Sequence, residues 1–240
     1  MVDSASPARV SLELRNIGDE RTLREFHETL LAPNFAPEEL FSADTLVDGV
    51  HKGKARVLAG LTGDGTLVAG AVGEWFAGSH VQLLTYLVVS PEARGLGAGS
   101  RVLQAALRQW IDELRPLLVV GEVEDPRCFK DVGLGDPEAR VRFYERLGVR
   151  SLPVPYAQPA LSPDLGRVPH LMLMVFAADE AARRPEGTID GSIVERFLVE
   201  YFESTEGPLR SDDAELRAML TACRKPNGLP LLRAHELPEY

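Results

Sequence analysis

One stretch of the chain has the chemistry to hold an anion: Ser90-Pro91-Glu92-Ala93-Arg94-Gly95-Leu96-Gly97-Ala98-Gly99-Ser100. A run of β-forming residues ends just before it at Val88 and Val89, and an amphipathic run starts at its far end. The first N–H groups of a helix have no partner inside the helix and sit at the positive end of its dipole. Glycine removes the Cβ that would hold an anion away from such amides. A strand, a glycine turn and a helix start therefore make a phosphate cradle. A tight glycine turn with no ligand is the other reading that this stretch alone leaves open.

Other chemistries are excluded by residue type. A P-loop ends in Gly-Lys-Ser or Gly-Lys-Thr, and no lysine stands here. A dinucleotide fingerprint needs a third glycine where Ser100 follows Gly95 and Gly97, and the strands before it read as hairpins rather than a βαβ unit. The histidines His27, His51, His80, His170 and His235 are scattered, so no metal site is expected. Cys128 and Cys223 have no partner at metal spacing and are expected to be free thiols. No serine nucleophile pattern appears.

The elements that must carry the loop follow from periodicity. Residues 11–17 alternate like a half-buried strand. Residues 20–31 place Leu23, Phe26, Leu30 and Leu31 at helical spacing, and Pro33 and Pro37 end that pattern. Residues 43–50 suggest a second short helix. Residues 56–61 and 67–76 read as strands joined by Gly63-Asp64-Gly65, a hairpin signal, and residues 81–89 as a third. Residues 100–114 carry Leu103, Ala106, Leu107, Trp110, Ile111 and Leu114 on one helical face, and Pro116 stops them. Residues 117–123 are a buried-type strand. Residues 137–147 predict a helix closed by Gly148. Residues 149–154 and 170–177 predict strands around a connector with Pro153, Pro155, Pro159, Pro163 and Pro169.

Beyond Ala178 the texture becomes helical, over residues 190–202 and 212–224, with Asp212 and Glu215 spaced like a capping box. The prediction is an α+β (mixed α/β) domain over 1–178, with a partly antiparallel central sheet flanked by helices, and a helical extension over 179–240. Packing of the extension on the domain is expected first, ahead of a homodimer contact or a lid.

Composition bounds the function. The 240 residues are 45% apolar, enough for a packed core without a disulfide or metal staple. The net charge of −10 argues against a general nucleic-acid binder, which needs a basic face. No apolar run approaches the ~20 residues of a membrane helix. The start, MVDSASPARV, lacks a basic n-region and an apolar run, so a cytoplasmic address is expected.

Two motifs carry a family resemblance. Arg94-x-x-Gly97-x-Gly99 after Val88-Val89-Ser90-Pro91 resembles the acyl-CoA loop of GCN5-related N-acetyltransferases (GNAT), and Phe143-Tyr144-Glu145-Arg146-Leu147-Gly148 is similar to the string ending that family's later helix. The motifs stand in the family's order, and the likeness spans roughly residues 10–178. Pro137 stands where relatives often have Asn, and Val149 where many have Phe.

The resemblance implies acyl transfer from acetyl-CoA to a primary amine in a ternary complex. The pyrophosphate would sit on the amides of Gly95, Leu96, Gly97, Ala98, Gly99 and Ser100, with Arg94 nearby. The pantetheine arm would pair along Leu87, Val88 and Val89 like an added strand. Tyr144 would meet the departing thiolate. A lysine-like amine is neutral about once in 2,500 molecules at neutral pH, so a base is needed. Glu74, Glu122 and Glu124 are the candidates, and Glu122 and Glu124 share a strand face. Tyr156 and Gln158, on the connector, would contact the acceptor. The resemblance also admits another acyl group, an alcohol acceptor, or a non-catalytic CoA-sensing or interaction module.

Overall fold

The structure, a computed structural model, describes residues 11–130, 135–162 and 164–240. Pro163, one of the connector prolines, lies outside the described residues. The elements in chain order are β1 (Glu13–Ile17), α1 (Glu20–Phe26), α2 (Ala43–His51), β2 (Ala55–Leu61), β3 (Leu67–Phe76), β4 (Val81–Val89), α3 (Ala98–Leu114), β5 (Leu118–Glu124), α4 (Pro137–Arg146), β6 (Arg150–Ser151), β7 (Leu171–Ala178), α5 (Gly191–Glu206) and α6 (Ala214–Cys223). The strands form a seven-stranded sheet in the order β1-β2-β3-β4-β5-β7-β6. The β4–β5 pair is parallel, whereas β1–β2, β2–β3, β5–β7 and β6–β7 are antiparallel. The α+β class with a largely antiparallel sheet is therefore as the sequence predicts.

The chain forms two compact units, the first comprising Met1–Phe35, Ser42–Glu74 and Thr85–Gln109, the second Ala36–Phe41, Trp75–Leu84 and Trp110–Tyr240. In the first unit, α1 starts at Asp19, whose carboxylate accepts from the Thr22 amide at 3.0 Å. Its buried Leu23 and Phe26 face the sheet. The Phe26 ring occupies the place where Gly70 of β3 would carry a Cβ, so only glycine fits there. Residues His27–Leu31 continue as a π turn, burying Leu30 and Leu31. The β2–β3 hairpin closes through Thr62 and Thr66, bonded N to O at 3.0 Å, with Gly65 at φ +88°.

In the second unit, the register pairs Val81–Leu84 of β4 with Leu118–Gly121 of β5. Leu83, Val120, Leu173 and Val175 on one sheet face pack with Phe197, Leu198, Tyr201 and Phe202 of α5 and with Leu216 and Met219 of α6. The 179–240 segment thus buries its apolar faces on the strands of its own unit. Polar contacts add to this packing. The Glu200 carboxylate accepts from the Gly78 and Ser79 amides at 2.9 and 2.8 Å, pinning the β3–β4 turn. Arg167 of the connector donates to Glu206 at 2.6 Å, to Glu215 at 2.9 Å and to Asp213, and lies 4.8 Å over the Phe202 ring.

Some local predictions shift. The 149–154 strand contracts to Arg150–Ser151, because Pro153 and Pro155 have no N–H to continue a ladder. The cap of α6 is Asp213 rather than Asp212, accepting from the Leu216 amide at 2.9 Å. Glu215 turns instead to Arg167.

Candidate active site

The loop comes first, in the first unit. After Val89 the chain makes a 3-10 turn over Pro91–Ala93, then enters α3 at Ala98. Gly95 and Gly97 have φ of +76° and +81°, the left-handed region that L side chains avoid. Space around both is open, since a Cβ at either would meet nothing within 4 Å. These two glycines are needed for backbone shape, not for want of room. The first amide bonded back across the helix start is that of Arg101, to the Gly97 carbonyl at 3.2 Å. The amides of Ala98, Gly99 and Ser100 precede it, at the positive end of a 17-residue helix. The Ser100 hydroxyl donates to the Gly97 carbonyl at 3.0 Å and stiffens the turn.

Arg94 is exposed but held. Its Nη2 donates to Asn34 Oδ1 at 2.6 Å and its Nε to the Val89 carbonyl at 3.2 Å. Asn34 is fixed in turn by its Nδ2, which donates to the Leu30 carbonyl at 2.8 Å. Nothing in the sequence points to Asn34, which lies 60 residues from Arg94. Along β4, Leu87 and Val89 are half-buried and Val88 is buried. Glu74 also belongs to this unit. The Thr85 hydroxyl donates to its Oε2 at 3.0 Å, and burial pushes its carboxyl above the ordinary range, only partly offset by that hydrogen bond.

The remaining predicted residues lie in the second unit. α4 begins at Asp136, whose carboxylate accepts from the Glu138 amide at 2.9 Å, with Pro137 in the first turn where its missing N–H costs nothing. It closes at Gly148, φ +88°. Tyr144 on this helix is buried, and burial pushes its phenol up to about 12. Among the described residues the phenol has no hydrogen-bond partner. Its ring meets Phe143 at 5.2 Å and Phe176 edge-on at 5.1 Å.

Glu122 and Glu124 of β5 have different partners. The Tyr156 phenol donates to Glu122 Oε1 at 2.6 Å, and the Tyr201 phenol reaches Oε2 at 3.5 Å. Burial, then the Glu122 charge and hydrogen bond, push the Tyr156 phenol well above its ordinary value, so it stays a donor. Glu124 is paired with Arg140 at 2.6 Å. Glu39 feels the same pair: burial first, then the Glu124 charge, raise its carboxyl, while Arg140 lowers it. Gln158 is buried and pairs through its backbone with Val168, at 2.9 and 3.1 Å. Tyr156 and Glu122 are thus brought together, while Tyr144 has no hydrogen bond to either glutamate. Tyr201 lies in the amphipathic run over residues 190–202, and its residue type alone does not single it out as a partner of Glu122. No cluster of His, Cys, Asp and Glu able to hold a metal occurs among the described residues. No helix among them is long and apolar enough to cross a membrane.

Residues 57–150 match the family model for an acetyltransferase (GNAT) domain. That stretch, about two-fifths of the chain, is similar to a GNAT acetyltransferase domain. The match takes in Glu74, the 94–100 loop, Glu122, Glu124 and Tyr144, and ends before Tyr156 and the 179–240 segment. Among solved structures, a GNAT-family protein from Bacteroides thetaiotaomicron superposes with a TM-score of 0.56 at 21% identity, covering 79% of this chain and 98% of that one. A spermidine/spermine N-acetyltransferase from Vibrio cholerae gives 0.46 at 19% identity, covering 68% of this chain and 91% of that one. At these identities the likeness to the first is one of fold. No curated protein matches the sequence.

Proposed function

We propose that the protein transfers an acetyl group from acetyl-CoA to a primary amine by direct attack in a ternary complex. The observation that carries the donor half is the turn at Gly95 and Gly97, whose positive φ values open the amides at the start of α3 inside the family match. In this reading the amides of Gly95–Ser100 hold the pyrophosphate, helped by Arg94. Leu87, Val88 and Val89 offer main-chain groups to the pantetheine arm. A backbone amide polarises the thioester carbonyl, an oxyanion-type contribution.

Tyr144 donates a hydrogen bond to the sulfur as the C–S bond breaks. The acceptor amine must lose a proton, and Glu122 is the best-supported group to receive it. It is half-buried and oriented by the Tyr156 phenol, so one of its oxygens is already fixed. Glu124 is paired with Arg140 and Glu74 accepts from the Thr85 hydroxyl, so each is a less direct base. Tyr156 is then a positioning residue for Glu122, and Gln158 shapes the connector wall. The scheme balances: the neutral amine nitrogen forms the C–N bond as the C–S bond breaks, its proton passes to Glu122 or solvent, and CoA leaves as a thiolate that solvent then protonates.

The catalytic domain is read as residues 1–178 and 179–240 as its helical extension. Cys128 and Cys223 are both free, which fits the cytoplasmic address. The test is thiol release from acetyl-CoA against a panel of primary amines, with alcohols alongside. Acceleration by an amine supports the reading. Tight CoA binding without acceleration by any acceptor would replace it with a CoA-sensing module.

A further inference from the structure

We propose that Phe176 is the residue that positions the Tyr144 phenol, aimed by a β-bulge in β7 and admitted by the glycine at 121. The proposal rests on the reading that Tyr144 meets the departing sulfur. Three observations converge on it. The β5–β7 register runs Val119 to Ala177 and then Val120 to Val175, so Phe176 is the extra residue of a bulge. A bulge bends its strand and redirects a side chain. The redirected ring lies over Gly121, where an added Cβ would come within 2.7 Å of Phe176 Cε2 and 3.3 Å of the Leu84 carbonyl oxygen. The same ring meets Tyr144 edge-on, centroids 5.1 Å apart with planes at 79°.

Phe176 is only half-buried, unlike Leu173 and Met174 beside it, which are fully buried. Tyr144 has few other means of orientation. Its phenol has no hydrogen bond among the described residues, and its other aromatic neighbour, Phe143, is the adjacent residue of the same helix and moves with it. Phe176 is its aromatic contact from another element.

The test uses free CoA and needs no acceptor. A phenol aimed at the sulfur stabilises the bound thiolate and lowers the thiol pKa of bound CoA, read from thiolate ultraviolet absorbance across pH. Phe176→Leu is expected to raise that pKa so that the thiolate population at fixed pH falls on the order of three- to tenfold. CoA affinity should stay near wild type. In a Tyr144→Phe background Phe176→Leu should add nothing, because the group it positions is gone. If Phe176→Leu fails to fold, Phe176→Met perturbs the same contact with an unbranched side chain that adapts more readily to the space. An effect of Phe176→Leu that persists undiminished without the Tyr144 hydroxyl would make the role structural and overturn the proposal. No effect of Phe176→Leu where Tyr144→Phe has one overturns it as well. An unchanged thiol pKa in Tyr144→Phe itself would remove Tyr144 from the sulfur, a failure of the underlying reading that is distinct from the other two.

Discussion

Tyr144 offers the sharpest quantitative test of the proposed chemistry. Its phenol is pushed up to about 12 by burial. A CoA-like thiol ionises near ~8.5, so handing it a full proton from this phenol is uphill by ~3.5 pKa units, or ~4.8 kcal/mol. In the proposed reaction Tyr144 therefore acts as a hydrogen-bond donor to developing negative charge, not as an acid that completes the transfer. A hydrogen bond to a charged group contributes roughly 1.5–3 kcal/mol. Tyr144→Phe should then lower kcat roughly 10- to 150-fold. The KM for acetyl-CoA should change little, because the bond strengthens only as the sulfur leaves. Stability should hold as well, since phenylalanine keeps the ring contacts with Phe143 and Phe176 and strands no partner.

The pH profile adds a second constraint. A phenol that titrates near 12 is protonated throughout the working range, so the wild type should show no alkaline limb owed to Tyr144 below roughly pH 10. The assay is thiol release at saturating acetyl-CoA, with the amine found by the panel, across pH, for both proteins. A limb between roughly pH 8 and pH 10 that disappears in Tyr144→Phe would refute the reasoning, because it would mean a phenol ionising far below the value burial imposes. An unchanged kcat would refute it more simply.

Gly97→Ala should weaken CoA binding roughly 5- to 30-fold by calorimetry, because a left-handed alanine costs ~1–2 kcal/mol and the turn relaxes away from φ +81°. Gly99→Ala, at a helical position, should leave affinity largely intact; equal losses would discard the conformational account. For Glu74, the raised carboxyl contributes stability that is present below its unfolded value of 4.5 and lost as pH climbs through its folded value. Glu74→Gln should therefore melt above wild type at neutral pH and level with it in acid, and an unaltered neutral melting temperature would contradict the burial assignment. Arg167→Met strands three carboxylates, two of them largely buried, at a cost of roughly 3–5 kcal/mol, or roughly 6–20 °C in melting temperature. Hydrogen bonds from Arg167 hold the Glu206 and Asp213 carboxyls below their ordinary values. Their stabilisation is present above the carboxylate range and lost as pH falls through the folded values, so the variant should also show a flatter acid limb in its stability curve.

The parts legible in the sequence are those where one residue type answers a local constraint. Gly95 and Gly97 answer a backbone chirality, Asp136 and Gly148 answer the unpaired ends of α4, and Gly63-Asp64-Gly65 answers a hairpin. What stayed hidden depends on register and on distant partners. The stretch Leu171–Ala178 is apolar throughout, so no alternation marks which residue is the extra one, and the bulge at Phe176 leaves no trace in it. Asp212 and Asp213 are both competent caps, and the choice falls to Asp213 because it serves the Leu216 amide and Arg167 together. Asn34 and Tyr201 come to Arg94 and Glu122 only through tertiary structure, as do the contacts that tie 179–240 to its unit.

Successive residues of β5 separate the two halves of the proposed chemistry. Gly121 and Glu122 are neighbours on a strand, so their side-chain positions project to opposite faces. On the Gly121 face stand the half-buried Phe176 and the buried Tyr144, whose phenol stays protonated. On the Glu122 face stand the Tyr156 and Tyr201 phenols, which hold a carboxylate by its two oxygens. Tyr144 and Glu122 therefore stand on opposite sides of β5. An attack in which the amine loses its proton on one side and the thiolate is met on the other needs that separation. It also explains why Tyr144 lacks a hydrogen-bond partner among the described residues while Glu122 has two.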